Sequence, residues 1–207
     1  MNIFFNQFGA YSAKLRPEDL TPLTSEIEKI KNNPENATQW NKKLAGNIRK
    51  EFVLTDCHEY MERYLLPLIA EYDKSVNYLN SINILTGNYP LVLENIWVNF
   101  QEKTEFNPIH SHSGIYSFVI WIKIPYTIED EIKLSPGHNS NMPVAGTFNF
   151  YYVNDLGRIS HKTIPADSSY ENTIMVFPSQ LNHCVYPFYS SDEYRISVSG
   201  NFKLKVD

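Results

Sequence analysis

Two hydrophobic periods divide the chain. Up to about residue 85 the apolar positions recur at three- and four-residue steps, the period of a helix face. After Gly87 they alternate or run together in short blocks, the pattern of strands. Residues 17–32 predict a first helix running to about Lys31, capped by Thr24 or Ser25 and stopped by Asn32, Asn33 and Pro34. Trp40, Leu44 and Ile48 stand four apart and predict a helix over 38–50. The clearest helix is 56–80, where Tyr60, Tyr64, Leu65, Leu68, Ile69, Tyr72 and Val76 share a stripe. Asp56 is its expected cap, Glu59 would complete a capping box, and Pro67 is a candidate kink.

The β pattern begins with the alternation of 93–101. Residues 115–124 form a nearly continuous apolar run, so this strand is buried on both faces or lines a pocket with one of them. Residues 126–145, polar and broken by Pro136, Gly137 and Pro143, read as a long loop. Segments 146–153 and 158–164 flank Asn154-Asp155-Leu156-Gly157 and predict a hairpin. Residues 172–178 predict another strand, and 183–188 with 194–204 a last pair. Short strands at this spacing point to a sandwich, jelly roll or barrel with helices beside it, a mainly β or α+β class. We expect a single domain over 1–207, with a mainly helical supporting part at 1–86 and a β core at 87–207.

Composition narrows the setting. Hydrophobic residues make up 43% of the 207 and charged residues 20%, which fits a folded globular chain rather than disorder. Fourteen Tyr and twelve Phe favour β structure. The net charge of −5 argues against a broad attraction to nucleic acid or anionic lipid. Cys57 and Cys184 form neither a disulfide framework nor a CxxC site. With no signal-like start and no long apolar stretch, the expectation is a cytoplasmic protein with neither a membrane nor a nucleic-acid partner.

Chemistry concentrates in three places. In Asn107-Pro108-Ile109-His110-Ser111-His112-Ser113 the two histidines stand two apart, so a strand puts both imidazoles on one face, where they can chelate one metal ion; two solvated loop histidines are the plain alternative. His183 follows a proline turn after an apolar strand and could complete a metal site, or be a turn residue. Arg195, Ser197 and Ser199 share one parity, with Ile196 and Val198 on the other. Either that polar face is exposed, or Arg195 points inward and needs an anion, for which a bidentate carboxylate is the natural partner. His58, His138 and His161 read as packing or surface residues, and no GxSxG, P-loop, GxGxxG or HExxH occurs.

Taken in order, Trp97-Val98-Asn99, Asn107-Pro108 with His110 and His112, an apolar strand ending at Pro125, Phe177-Pro178 with His183 five residues on, and Arg195-Ile196-Ser197 resemble the Fe(II)/2-oxoglutarate-dependent oxygenases. The resemblance is narrower to the prolyl-4-hydroxylase-like branch of marine bacteria and their phages, spans about residues 91–203, and extends less specifically to Lys43-Leu44-Ala45-Gly46-Asn47-Ile48. It implies a double-stranded β-helix, or jelly roll, with supporting N-terminal helices. It implies Fe(II) on His110 and His183, and 2-oxoglutarate with its far carboxylate on Arg195. Ser197 matches the serine of an RxS element, and Asn99 and Tyr116 are implied in the cosubstrate pocket. The implied reaction consumes O2, decarboxylates 2-oxoglutarate to succinate and hydroxylates a protein side chain, prolyl-like, or a small molecule, and the implied setting is a phage-infected or marine bacterial host.

One position departs from the family pattern. The usual carboxylate ligand is replaced by His112, so the site would hold three neutral imidazoles, a set that also suits Zn(II). Rival readings are a cupin-type metalloenzyme, a zinc hydrolase and a non-catalytic jelly-roll binding module. The glutamate that cupins carry after HxH is missing from Ser113–Phe118, no general base for a hydrolase stands out, and a binding module leaves Arg195 and three histidines without a purpose.

Overall fold

The computed structural model describes residues 2–5, 8–82 and 89–205. In chain order the strands are β1 (Asn2–Phe5), β2 (Phe8–Lys14), β3 (Glu51–Val53), β4 (Leu91–Gln101), β5 (Asn107–His110), β6 (Tyr116–Lys123), β7 (Phe148–Val153), β8 (Ile159–Ile164), β9 (Thr173–Pro178), β10 (His183–Val185) and β11 (Arg195–Leu204). The α-helices are α1 (Thr21–Asn32), α2 (His58–Val76), α3 (Tyr78–Ile82) and α4 (Ile128–Leu134). Seven strands form a major sheet in the order β1-β2-β9-β6-β11-β4-β3, and four form a minor sheet in the order β5-β10-β7-β8. All the pairings of both sheets are antiparallel. This is the expected mainly β, jelly-roll class with supporting helices.

Strand parity builds two cores. On the outer face of the major sheet Ile96, Val98, Ile120, Ile174, Val176, Ile196 and Val198 pack against Leu23, Ile27 and Ile30 of α1 and Met61, Leu65, Ile69 and Tyr72 of α2. Each such side chain contributes about 1.5–3 kcal/mol when fully buried. Between the sheets a second cluster gathers Val119, Trp121, Phe148, Phe150, Met175, Phe177 and Phe188. Gly200 of β11 makes room between its neighbours β4 and β6, because a Cβ there would lie 2.6 Å from Asn95 O and from the Phe118 ring.

Several expected elements fold differently. The first helix starts at Thr21, after a 3-10 turn at Pro17–Leu20, and Thr24 bonds back to Leu20 O inside the helix instead of capping it. The expected 56–80 helix divides into α2 and α3 at Asn77, which takes a left-handed φ of 52°. Asp56 does not cap α2 and no capping box forms. Instead the Glu26 carboxylate of α1 accepts from the backbone N–H groups of Thr55, Asp56 and Cys57 at 2.7, 3.0 and 2.8 Å, so one helix anchors the turn that leads into the next.

The helix expected over 38–50 is replaced by a short 3-10 turn, Asn41–Lys43, within irregular chain. That chain bridges Gln39 to Phe52 and Asn47 to Phe106, a cross-strand satisfaction of backbone groups that a helix would have used internally. The loop expected over 126–145 contains α4, with Thr127 Oγ1 capping the Asp130 N–H at 3.2 Å. The last two strands do not pair: β10 lies between β5 and β7, while β11 lies between β4 and β6. The supporting part also contributes β1, β2 and β3 to the major sheet. The boundary expected at 86–87 falls outside the described residues.

Candidate metal and cosubstrate site

The facing sheets enclose a cavity of about 160 Å³. His110 and His183 stand directly opposite each other across β5 and β10. His112 follows β5 by two residues and is held by its backbone N–H to Ser179 O at 2.8 Å. The three ring centroids lie 4.3 Å (His110–His183), 4.9 Å (His110–His112) and 5.0 Å (His112–His183) apart. One nitrogen from each lies within 4.8 Å of the others.

Two of these rings are oriented by carbonyls. His110 Nδ1 donates to Pro108 O at 2.7 Å and His183 Nδ1 to Leu181 O at 2.9 Å. A carbonyl only accepts, so Nδ1 carries the proton and Nε2 keeps its lone pair for an electrophile. Phe148, Phe150 and Phe177 surround His183, with centroids 5.5, 6.2 and 4.9 Å away. Burial, reinforced by the neighbouring imidazoles, pushes the His183 pKa well below the usual value. Burial first and His110 second push His112 to about 4, and burial lowers His110. All three stay neutral near pH 7, the state a metal ligand needs.

Arg195, Ser197 and Ser199 all line the cavity, so the inward reading of their shared parity holds. Arg195 is 2% exposed. Its Nε and Nη2 donate to Gln101 Oε1 at 3.0 and 2.5 Å, its Nη1 to Tyr126 OH and Gly146 O at 2.5 and 3.1 Å, and its Nη2 also to Tyr186 O at 3.3 Å. Every acceptor is neutral, and among the described residues no carboxylate forms an ion pair with it. A buried guanidinium without a counter-charge is costly and favours an anionic ligand. A cluster of imidazole nitrogens and a desolvated, unpaired cation on one cavity fit Fe(II) and a dicarboxylate cosubstrate.

Asn99 also lines the cavity, its Nδ2 donating to Ser197 O and Oγ at 3.4 and 3.3 Å. Tyr116 is a correction. It lies on the outer face of β6, edge-on to Tyr72, with its hydroxyl donating to Asp73, and does not line the cavity. Even parity from Tyr116 leads to Phe118 and Ile120 of the helix-facing core, whereas Ser117, Val119 and Trp121 take the other side. Sequence reasoning missed Gln101, Tyr126 and Glu51. Gln101 shares parity with Asn99 and could have been found that way; Tyr126 lies beyond the strand and carries no such signal.

Comparison with known proteins places the chain in a family. The family model described as "Putative 2OG-Fe(II) oxygenase" matches residues 95–201, just over half of the chain. The chain belongs to that family and is a 2-oxoglutarate-dependent Fe(II) oxygenase, with Fe(II) and 2-oxoglutarate as its cofactor and cosubstrate. No curated protein matches it by sequence. Among solved structures it is similar to a Pseudomonas putida prolyl-4-hydroxylase, at 15% identity and TM-score 0.55 over 96% of this chain and 94% of that one. A Trichoplax adhaerens prolyl hydroxylase in complex with a hypoxia inducible factor peptide is similar at 13% identity and TM-score 0.51, over 96% and 83%. The α-ketoglutarate-dependent epimerase SnoN of nogalamycin biosynthesis is similar at 14% and 0.56, over 96% and 77%. These likenesses show a shared fold. Among the described residues no helix is long and apolar enough to cross a membrane.

Proposed function

We propose that this oxygenase holds Fe(II) on His110, His112 and His183, receives the far carboxylate of 2-oxoglutarate at Arg195, and hydroxylates a prolyl-like protein side chain or a small molecule. One observation carries the assignment: three convergent neutral imidazoles share a cavity with a guanidinium that has no anion. Bound iron would supply activation of O2 coupled to decarboxylation of the cosubstrate.

The chain's own residues supply placement. The carbonyls of Pro108 and Leu181 aim Nε2 of His110 and His183 inward. Gln101, whose Nε2 donates to Glu105 O at 2.5 Å, is fixed so that its Oε1 holds the guanidinium in place. The longest of the Arg195 contacts, 3.3 Å to Tyr186 O, is the one an arriving carboxylate displaces first. Phe148 and Phe150 of the minor sheet and Phe177 of the major sheet keep water from His183. Ser197, which accepts from Asn99, offers its hydroxyl proton beside Arg195 to the same carboxylate.

The test is an anaerobic titration with Fe(II), then 2-oxoglutarate, followed by visible absorption. The expected result is a charge-transfer band that needs both components and is lost in His183→Ala together with stoichiometric iron. Stoichiometric iron retained in His183→Ala refutes the three-histidine site. Iron binding with no band in the wild type refutes the cosubstrate assignment and favours a cupin-like or zinc site.

A further inference from the structure

The cavity has a second pole that the iron and the cosubstrate leave unused. Glu51 opens β3 at the edge of the major sheet, directly beside Asn99 of β4, and is 1% exposed. Its side chain lines the same cavity as the histidines and Arg195. Oε2 accepts from Asn41 Nδ2 at 3.1 Å, while Oε1 is buried with no donor. Around it the buried Oδ1 atoms of Asn99 and Asn107, both cavity-lining, and of Asn41 also find no donor. Asn107 belongs to the edge strand β5 of the opposite sheet. The chain between Gln39 and Asn47 stitches the two edges together and brings Gly46 between them. Glu51 Oε1 and Asn107 Oδ1 both lie less than 3.0 Å from the point where a Cβ on Gly46 would sit.

Every unsatisfied atom here is an oxygen, and one belongs to a carboxylate with no Lys or Arg nitrogen within ion-pair distance among the described residues. The complement of acceptors alone is a group that only donates, and an ammonium does so with three N–H bonds and a positive charge. A hard divalent cation fits less well. It takes six or more oxygens, usually with several carboxylates, and this pole offers one carboxylate and three amides. Unpaired buried acceptors are costly, so a ligand that pairs them gains what the fold gives up.

We propose that Glu51, with Asn99 and Asn107, is the substrate-recognition pole of the cavity and takes a substrate bearing a primary alkylammonium group. This rests on the oxygenase reading for the word substrate, but the binding itself does not. Arg195 then receives the anionic cosubstrate and Glu51 the cationic group, while Lys43 and the histidine cluster line the same space.

The experiment titrates Fe(II)-loaded protein under argon, at a pH above about 8 where the Glu51 carboxyl is ionised, with n-butylammonium, n-butanol and butyrate, read by the fluorescence of Trp97 and Trp121, which line the cavity. The same samples are titrated with 2-oxoglutarate and with CaCl2. The proposal expects saturable n-butylammonium binding at least tenfold tighter than n-butanol. Glu51→Gln should abolish that preference and leave the 2-oxoglutarate Kd within twofold. No ammonium preference, or one that survives Glu51→Gln, overturns the proposal, as does tighter binding of Ca2+ at the same pole. Should Glu51→Gln not fold, Asn107→Ala must weaken n-butylammonium several-fold, and unchanged binding overturns the proposal. If 2-oxoglutarate binds and the amine does not, only this inference falls. If the Glu51-dependent amine site appears and 2-oxoglutarate does not bind, it is the cosubstrate assignment that falls.

Discussion

Arg195→Lys separates the charge of the guanidinium from its geometry. The wild-type side chain makes five N–H contacts to four neutral acceptors, namely Gln101 Oε1, Tyr126 OH, Gly146 O and Tyr186 O. A lysine has three donors at one point, so at least two contacts are lost. At about 1 kcal/mol for each lost contact, the variant should be destabilised by about 2 kcal/mol. For a chain of this size that corresponds to a Tm about 4–8 °C lower. Binding should suffer separately. A carboxylate held by one donor instead of a bidentate fork loses a charge-assisted hydrogen bond of about 1.5–3 kcal/mol, which raises the 2-oxoglutarate Kd about 10- to 100-fold. Urea denaturation and anaerobic titration of the Fe(II)-loaded variant measure the two effects side by side. A 2-oxoglutarate Kd within twofold of wild type, alongside the stability loss, would refute the argument. It would make Arg195 a buried structural cation and send the cosubstrate carboxylate elsewhere.

Other consequences follow from the same contacts. Burial, with Glu105 second, pushes the Glu51 carboxyl up to about 7. A raised folded pKa means that the native state binds more protons than the unfolded chain between about pH 4.5 and 7, so this group's contribution to stability is lost as pH rises through that window. The loss is on the order of 3 kcal/mol. The histidines, whose folded pKa values are lowered, act in the opposite direction. The wild-type minus Glu51→Gln difference isolates the carboxyl, and a difference that is flat in pH would refute this. Tyr116→Phe should cost about 1 kcal/mol through the lost Asp73 hydrogen bond and leave the 2-oxoglutarate Kd unchanged; a tenfold change would return Tyr116 to the cosubstrate pocket. Glu26→Ala should destabilise by about 2–4 kcal/mol, because three N–H groups in the turn before α2 lose a charged acceptor. A urea-derived loss below about 1 kcal/mol would show that water replaces the carboxylate.

How much could be read in advance depended on whether a signal was local. Parity is local, so Arg195, Ser197 and Ser199 could be grouped before any fold was known; His110 and His112 were paired by their spacing, although His112 lies beyond the end of β5 and the expected strand does not carry it. The strands from 93 onward and the hairpin at Asn154–Gly157 were equally legible, since each rests on its own alternation or turn chemistry. Illegible features depended on distant partners. Nothing near Asp56 shows that the turn before α2 is anchored by Glu26, some 30 residues earlier. Trp40, Leu44 and Ile48 repeat at a helical step, yet their backbone is drawn into bridges with Phe52 and Phe106. Tyr116 failed for a different reason. Its strand is apolar on both faces, so alternation did not say which face met the cavity and which met α2.

Two buried groups, the Arg195 guanidinium and the Glu51 carboxyl, explain why a jelly roll tolerates a polar face inside its core. Arg195 and Glu51 line one cavity, yet Arg195 has its N–H groups bonded to neutral acceptors with no counter-charge, and Glu51 is satisfied only in part, by a neutral amide. Had they paired with each other, the fold would have gained a salt bridge and lost both binding poles. Asn99 pairs with Ser197 of β11 on one side and Glu51 of β3 on the other, its Nδ2 committed to Ser197 and its buried Oδ1 left without a donor. An amide can face both ways because it carries donors at one end and an acceptor at the other. Asn99→Asp should therefore harm the two ends unequally. It removes the donor to Ser197, and it adds a second negative charge next to Glu51. An ammonium ligand should bind tighter and 2-oxoglutarate weaker, each by several-fold in the paired titrations. A change of the same sign in both would mean that Asn99 only shapes the cavity and that the two poles are not set apart by charge.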